Sequence, residues 1–219
     1  LPCRGARVSI QRMRRLLSRI RAHTLSPGGR PALRLELETD DIPAAGQPLL
    51  AFLPGSMAPL RTPIFPSQIH SDGFTSTELP TTDWTVGTYL DLLGPIGSGF
   101  SPPPQSRRWV LLALGRTMDR LLPLVDEAID RDLAIAVYSD GPVPVLPPQV
   151  EIGASLEDLI EWSDYIALDL HDPMRVSLPG FLGNDIQPAA RIELLTDLAL
   201  PCGLGVCGAC AIASRHGWK

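Results

Sequence analysis

The stretch 93-LGPIGSGFSPPPQSRRWVLLALGRT-117 decides how this chain divides. Leu93–Phe100 packs three glycines and a proline into eight residues, which forces a tight loop. Pro102-Pro103-Pro104 follows as a stiff, extended linker. Trp109–Leu114 is then apolar throughout, the pattern of a strand buried on both faces of a parallel sheet. One architecture ends before the prolines and another begins after them.

Downstream, strand and helix patterns alternate. Thr117–Arg131 reads as an amphipathic helix with Met118, Leu121, Leu122, Val125 and Ile129 on one face. Leu133–Tyr138 and Tyr165–Leu170 are further apolar strands, and Val150–Ile152 a short one. Leu156–Trp162 is a helical segment that Ser155 can cap. Such alternation predicts a parallel sheet covered on both faces. Upstream, Leu33, Leu35 and Leu37 alternate with Arg34, Glu36 and Glu38, a half-buried strand. Pro48–Leu53, Pro63–Phe65, Ser67–His70 and Thr85–Leu93 add short strands among abundant turn residues, which predicts a small antiparallel barrel. The expected fold class is therefore β-barrel plus α/β. Its expected parts are a basic leader at 1–31, the barrel at 32–101, the α/β domain at 107–188 and a terminal segment at 189–219. The leader is expected to be poorly ordered, with a short basic helix over Gln11–Ile20 as the alternative.

The terminal segment holds 201-PCGLGVCGAC-210, with Cys202, Cys207 and Cys210 in a C-x4-C-x2-C array. This is the opening of the plant-type ferredoxin spacing, in which one glycine-rich loop wraps a [2Fe–2S] cluster. Gly203, Gly205 and Gly208 lie between the thiols, where the backbone must turn closely. Buried structural thiols and a zinc site completed by His216 remain the alternatives. No fourth cysteine follows Cys210, so the chain is expected to be cut short, with the fourth ligand beyond residue 219.

A net charge of −5 argues against a nucleic-acid binder, and the 44% hydrophobic content suffices for a buried core. No apolar run is long enough to span a bilayer, and no secretory signal is visible. Three clustered thiols of four suggest a reducing, cytoplasmic setting. No Ser/His/Asp or paired-carboxylate arrangement stands out. His171 sits in a βα loop, where a solvated histidine is the ordinary reading.

The order of barrel, linker, α/β domain and cysteine loop resembles the PyrK-type electron-transfer subunits of class 1B dihydroorotate dehydrogenases. These are iron–sulfur flavoproteins of the ferredoxin-reductase group. Leu93–Phe100 is similar to that family's GPLGNGF-type segment, and 201–210 to its cluster loop. The resemblance covers roughly residues 32–219 and implies three electron carriers. FAD would sit in the barrel, NADH would meet the α/β domain, and a [2Fe–2S] cluster would bind Cys202, Cys207 and Cys210. It implies flavin contacts at Arg61, Pro63, Ile64 and Phe65, at Thr75 and Ser76 near a helix start within Gly73–Thr77, and at Gly94 and Gly97. It also implies a hetero-oligomeric partner, the FMN-containing dihydroorotate dehydrogenase catalytic subunit, and a place in pyrimidine biosynthesis. Where the family has a GGGxGxxP turn, this chain has Leu114-Gly115-Arg116-Thr117-Met118-Asp119. Two alternatives follow: a sister subunit serving a sulfide dehydrogenase or hydrogenase, or a non-catalytic docking subunit.

Overall fold

The computed structural model describes residues 14–57, 60–77, 84–171 and 190–197, and two short paired strands at Ala213–Ser214 and Gly217–Trp218. The cysteine array and Cys3 lie outside the described residues.

The amino-terminal unit is a seven-stranded antiparallel sheet that curls as a half-barrel. Its strands are β1 (Arg14–Leu25), β2 (Pro31–Glu36), β3 (Leu49–Phe52), β4 (Thr62–Ile64), β5 (Gln68–His70), β6 (Gly73–Ser76) and β7 (Tyr89–Gly94). Their order is β4-β3-β7-β1-β2-β6-β5. Ile20, Leu33, Leu35, Leu49, Ile64, Phe74, Leu90 and Leu92 fill the concave side.

The expectation of a disordered or helical leader does not hold for residues 14–25. They form β1, the central strand, paired with β2 on one edge and β7 on the other. The physical reason is a second period in the same residues. Leu16, Ser18, Ile20 and Ala22 turn inward at period two, while Arg15, Leu17, Arg19 and Arg21 face out. Two flanking strands supply hydrogen bonds along this segment, and tertiary pairing overrides the helical spacing.

The second unit is a five-stranded parallel sheet of β8 (Arg108–Leu114), β9 (Ala134–Ser139), β10 (Val150–Ile152), β11 (Tyr165–Leu170) and β12 (Arg191–Thr196). Its order is β10-β9-β8-β11-β12. The order reverses between β8 and β11, so the carboxyl ends of these strands form a switch point, where such sheets hold ligands. Alternate residues of β8 serve two cores. Trp109, Leu111 and Ala113 pack with Leu121, Leu124, Val125 and Ala128. Val110, Leu112 and Leu114 pack with Leu159, Ile160, Ile166 and Leu168.

The helix expected over Thr117–Arg131 is two elements. Met118–Leu121 is a 3-10 turn, and α1 follows at Leu122–Asp130. Pro123 falls at the start of α1, where its missing N–H costs nothing. α2 (Leu156–Trp162) is capped by Ser155, whose side chain accepts from the Asp158 N–H at 3.3 Å.

The linker is pinned at both ends. The Trp109 indole N–H donates to Ser106 Oγ at 2.9 Å, and Ser106 Oγ donates to the Pro103 carbonyl at 2.6 Å. On the other side, Glu193 of β12 accepts from Ser101 N–H (2.6 Å), Ser101 Oγ (2.8 Å), Tyr165 OH (2.8 Å) and Arg191 (2.7 Å). Burial would raise the Glu193 carboxyl, but the donors from Ser101, Tyr165 and Arg191 outweigh it and hold it below its usual range. A lowered carboxyl contributes stability at neutral pH that is lost as pH falls through its folded value. The melting temperature should therefore hold down to about pH 5 and drop below it. Glu193→Gln should lower it at neutral pH and flatten that acid slope, as measured by thermal melts across pH.

Among the described residues, no helix is long and apolar enough to cross a membrane.

Candidate functional site

Among the described residues, two of the clefts that open where the half-barrel meets the parallel sheet carry the site. The first has a volume of about 410 Å³. On the barrel side it is lined by Pro48, Pro63, Phe65 and the Ile96–Phe100 loop, and on the sheet side by Glu193–Asp197. Gly46 lets the barrel wall close onto the Phe100 ring, since a Cβ there would lie 2.7 Å from Phe100 Cδ2.

The first cleft suits a planar heteroaromatic ring. Pro63, Phe65, Ile96 and Phe100 offer apolar faces, and its volume falls in the ordinary range for small-molecule sites. The Thr196 hydroxyl at the cleft is buried and has no hydrogen-bond partner among the described residues. A buried hydroxyl without a partner is costly, and a ring nitrogen or carbonyl would satisfy it. The residues present therefore fit an isoalloxazine.

Of the expected flavin contacts, the structure brings Pro63, Phe65 and Gly97 to this cleft. Gly94 lies beside it, against Leu49 and the Pro48 carbonyl. The others face elsewhere. Ile64 is fully buried in the barrel core. Arg61 donates to the carbonyls of Leu50 (3.3 Å) and Asp91 (2.8 Å) and pairs with the Asp91 carboxylate at 3.1 Å. Burial would raise the Asp91 carboxyl, but hydrogen bonds from Arg15 and Arg61 hold it below its usual range. Thr75 and Ser76 lie buried in β6, so the expected helix start within Gly73–Thr77 is a strand. Ser67 takes the Thr75 carbonyl through both its N–H (2.7 Å) and its hydroxyl (3.0 Å), and Thr75 Oγ1 meets the His70 ring at 3.0 Å.

The second cleft, about 280 Å³, sits at the switch point, between Arg30 and Thr77 of the barrel unit and Gly115, Arg116 and Arg120 of the sheet unit. Its cations are matched by carboxylates. Arg30 pairs with Asp119 at 2.5 Å. Arg120 grips Asp169 through two nitrogens, with side-chain exposures of 4% and 0%, and reaches Asp197 at 2.8 Å. Burial pushes the Asp169 carboxyl up against the pull of Arg120. Asp197 also receives Arg116 and, at 2.8 Å, His171 Nδ1. The Gly115 N–H at the head of the turn donates to both carboxylate oxygens of Asp140 (2.8 and 3.0 Å). Arg120 further stacks on the Phe65 ring, 4.6 Å from its centroid, which ties the two clefts together.

The chain's fold is shared with several solved structures. The NADH-dependent reduced ferredoxin–NADP oxidoreductase superposes with a TM-score of 0.67 at 14% identity, over 93% of this chain and 84% of that one. The ferredoxin reductase of carbazole 1,9a-dioxygenase gives 0.64 at 13%, over 85% and 68%. Phthalate dioxygenase reductase, described as carrying electrons from pyridine nucleotides to [2Fe–2S], gives 0.56 at 12%, over 82% and 68%. This is the ferredoxin-reductase fold. No protein-family model and no curated protein matches the sequence.

Sequence reasoning did not find Pro48, Thr196, Asp197, Arg30 or Arg120 as site residues. Phe100 carried a signal, since it closes the LGPIGSGF segment. Arg30 and Asp197 carried none, because they come to the clefts from opposite ends of the chain. Among the described residues, no cluster of three or more His, Cys, Asp or Glu side chains is placed to hold a metal ion.

Proposed function

We propose that this chain is an electron-transfer flavoprotein subunit of the PyrK type, which holds FAD with its ring in the first cleft and a [2Fe–2S] cluster on Cys202, Cys207 and Cys210. The observation that carries this reading is the first cleft itself: apolar walls, a buried hydroxyl in want of a partner, and a setting between half-barrel and parallel sheet. Pro63, Phe65 and Phe100 would cover the ring, Thr196 would hydrogen-bond its polar edge, and the Gly97 backbone would admit close approach. Bound there, a flavin supplies interchange between two-electron and one-electron transfer, and a cluster supplies single-electron relay. The protein's own work is to orient the ring, keep water off it and set its surroundings.

The partner in this reading is the FMN-containing dihydroorotate dehydrogenase catalytic subunit, in a cytoplasmic hetero-oligomer serving pyrimidine biosynthesis. The cysteine array is its support, since Cys202 follows β12, a wall of the first cleft, by six residues, counting from Thr196. A docking subunit without pyridine-nucleotide chemistry is the second reading. It is favoured by one observation: the turn after β8 keeps a single glycine, whose N–H is already taken by Asp140.

The test is anaerobic purification of the protein with flavin and iron quantified, and visible and EPR spectra taken before and after reduction. The proposal expects flavin bands plus a [2Fe–2S] signal on reduction, and co-purification with the catalytic subunit. Iron without flavin would leave the docking reading standing.

A further inference from the structure

Asp197 belongs to both clefts. It lines the first, and three of the groups that hold it, Arg116, Arg120 and His171, line the second. Those three reach it from the ends of β8 and β11 and from the 3-10 turn, the segments that make the switch point. A carboxylate thus stands among the cations at the pole where a phosphate group would be received.

The contacts to Asp197 are not equivalent. Arg120 is buried and anchored by Asp169, so it stays in place whatever arrives. Arg116 and Asp197 are 22% and 35% exposed, and His171 is 59% exposed, so this half of the cluster is within reach of a ligand from solvent. A guanidinium can pair in fork geometry with a phosphate as it can with a carboxylate. A diphosphate carries more charge than one carboxylate and can compete for it.

We propose that Asp197 is an internal counter-anion: a diphosphate-bearing ligand entering the second cleft takes Arg116 from it, and the carboxylate, left with Arg120 and His171, adds negative charge to the wall of the first cleft. The inference goes beyond the flavin reading and does not depend on it. Ligand binding at one cleft would then change the charge at the other through one side chain. Arg120, stacked on Phe65 and hydrogen-bonded to Asp197, is the fixed post about which this exchange happens. In the sequence, Cys202 comes five residues after Asp197.

The test is calorimetric titration of the full chain with inorganic pyrophosphate and with ADP. Asp197→Asn, which removes the competing charge and keeps the shape, should bind both about tenfold more tightly than the unaltered protein. Arg116→Met should abolish binding in either background. Tighter binding of ADP than of pyrophosphate assigns a nucleotide as the ligand, equal binding assigns the diphosphate alone, and both uphold the displacement. Unchanged or weaker binding by a folded Asp197→Asn protein overturns it. Should that variant not fold, hydrogen exchange of the unaltered protein decides. Saturating pyrophosphate should speed exchange at Leu195–Asp197, and an unchanged rate there contradicts the proposal. Flavin content enters neither arm, so failure here and failure of the flavin reading are separate results.

Discussion

Arg120→Met should cost about 3–5 kcal/mol of folding free energy. Arg120 and Asp169 lie almost wholly out of water, with exposures of 4% and 0%. Removing the guanidinium strands a carboxylate in the core at the carboxyl end of β11, and the Phe65 ring loses the cation stacked on it. Burial already pushes Asp169 toward its protonated form, and without Arg120 nothing on its own scale opposes that push. A carboxyl whose folded value is raised binds its proton in the native state before it does so unfolded, so stability falls as pH rises. The variant's deficit should therefore be largest at neutral pH and shrink toward pH 5. Arg120→Met combined with Asp169→Leu should recover part of the loss, because neither charge then remains buried. Urea unfolding at two pH values checks all three statements. Equal stability of the single variant and the unaltered protein at pH 7 would mean that the pair does not sit in the core as described.

Gly73→Ala should be as damaging, for a steric reason. Gly73 opens β6 with φ of +146°, and a Cβ there would fall 1.9 Å from the Leu35 carbonyl oxygen and 2.9 Å from its carbon. The obstacle is backbone in the neighbouring strand, so no rotamer change relieves it. The β2–β6 ladder, in which Leu35 faces Phe74 and Glu36 faces Gly73, must open. We expect a loss of about 3–5 kcal/mol, at the high end of single substitutions. Gly97→Ala is the control. Gly97 has φ of +74° but nothing within 4 Å of its would-be Cβ, so strain alone should cost roughly 1–2 kcal/mol. Comparable losses at the two positions would contradict the ladder geometry.

The parallel sheet was legible because its strands bury both faces. Runs such as Trp109–Leu114 and Tyr165–Leu170 admit few other readings, and β8 and β11 fall on them. β1 was not legible, because Met13, Leu16, Leu17 and Ile20 satisfy a helical period and four arginines at 14, 15, 19 and 21 look like a solvated face. Its partners β2 and β7 decide the matter, and β7 stands far off in sequence, with the Arg15–Asp91 bond across β1 and β7 joining residues 76 apart. The helix start within Gly73–Thr77 came from the family resemblance, and the residue types there, Gly73, Thr75, Ser76 and Thr77, did not speak against it, being turn and cap residues. In the sheet their small side chains fit a strand buried along its whole length.

The site divides in the same way. Phe65 and Gly97 sit in local segments that the family resemblance implied as flavin contacts, and they reach the first cleft. Thr196 and Asp197 sit in a stretch of ordinary strand composition, and only the pairing of β12 beside β11 brings them opposite the barrel. The resemblance implied Arg61 as a flavin contact. Its partner is Asp91 on β7, on the far side of β3, and no local pattern could show that.

The most direct test of the cofactor reading is the flavin-to-protein ratio of the anaerobically purified chain. The account predicts a ratio near one, with the ratio collapsing in Phe65→Ala while the circular dichroism stays native. A correctly folded protein that carries no flavin, and takes none up when FAD is added, would contradict it.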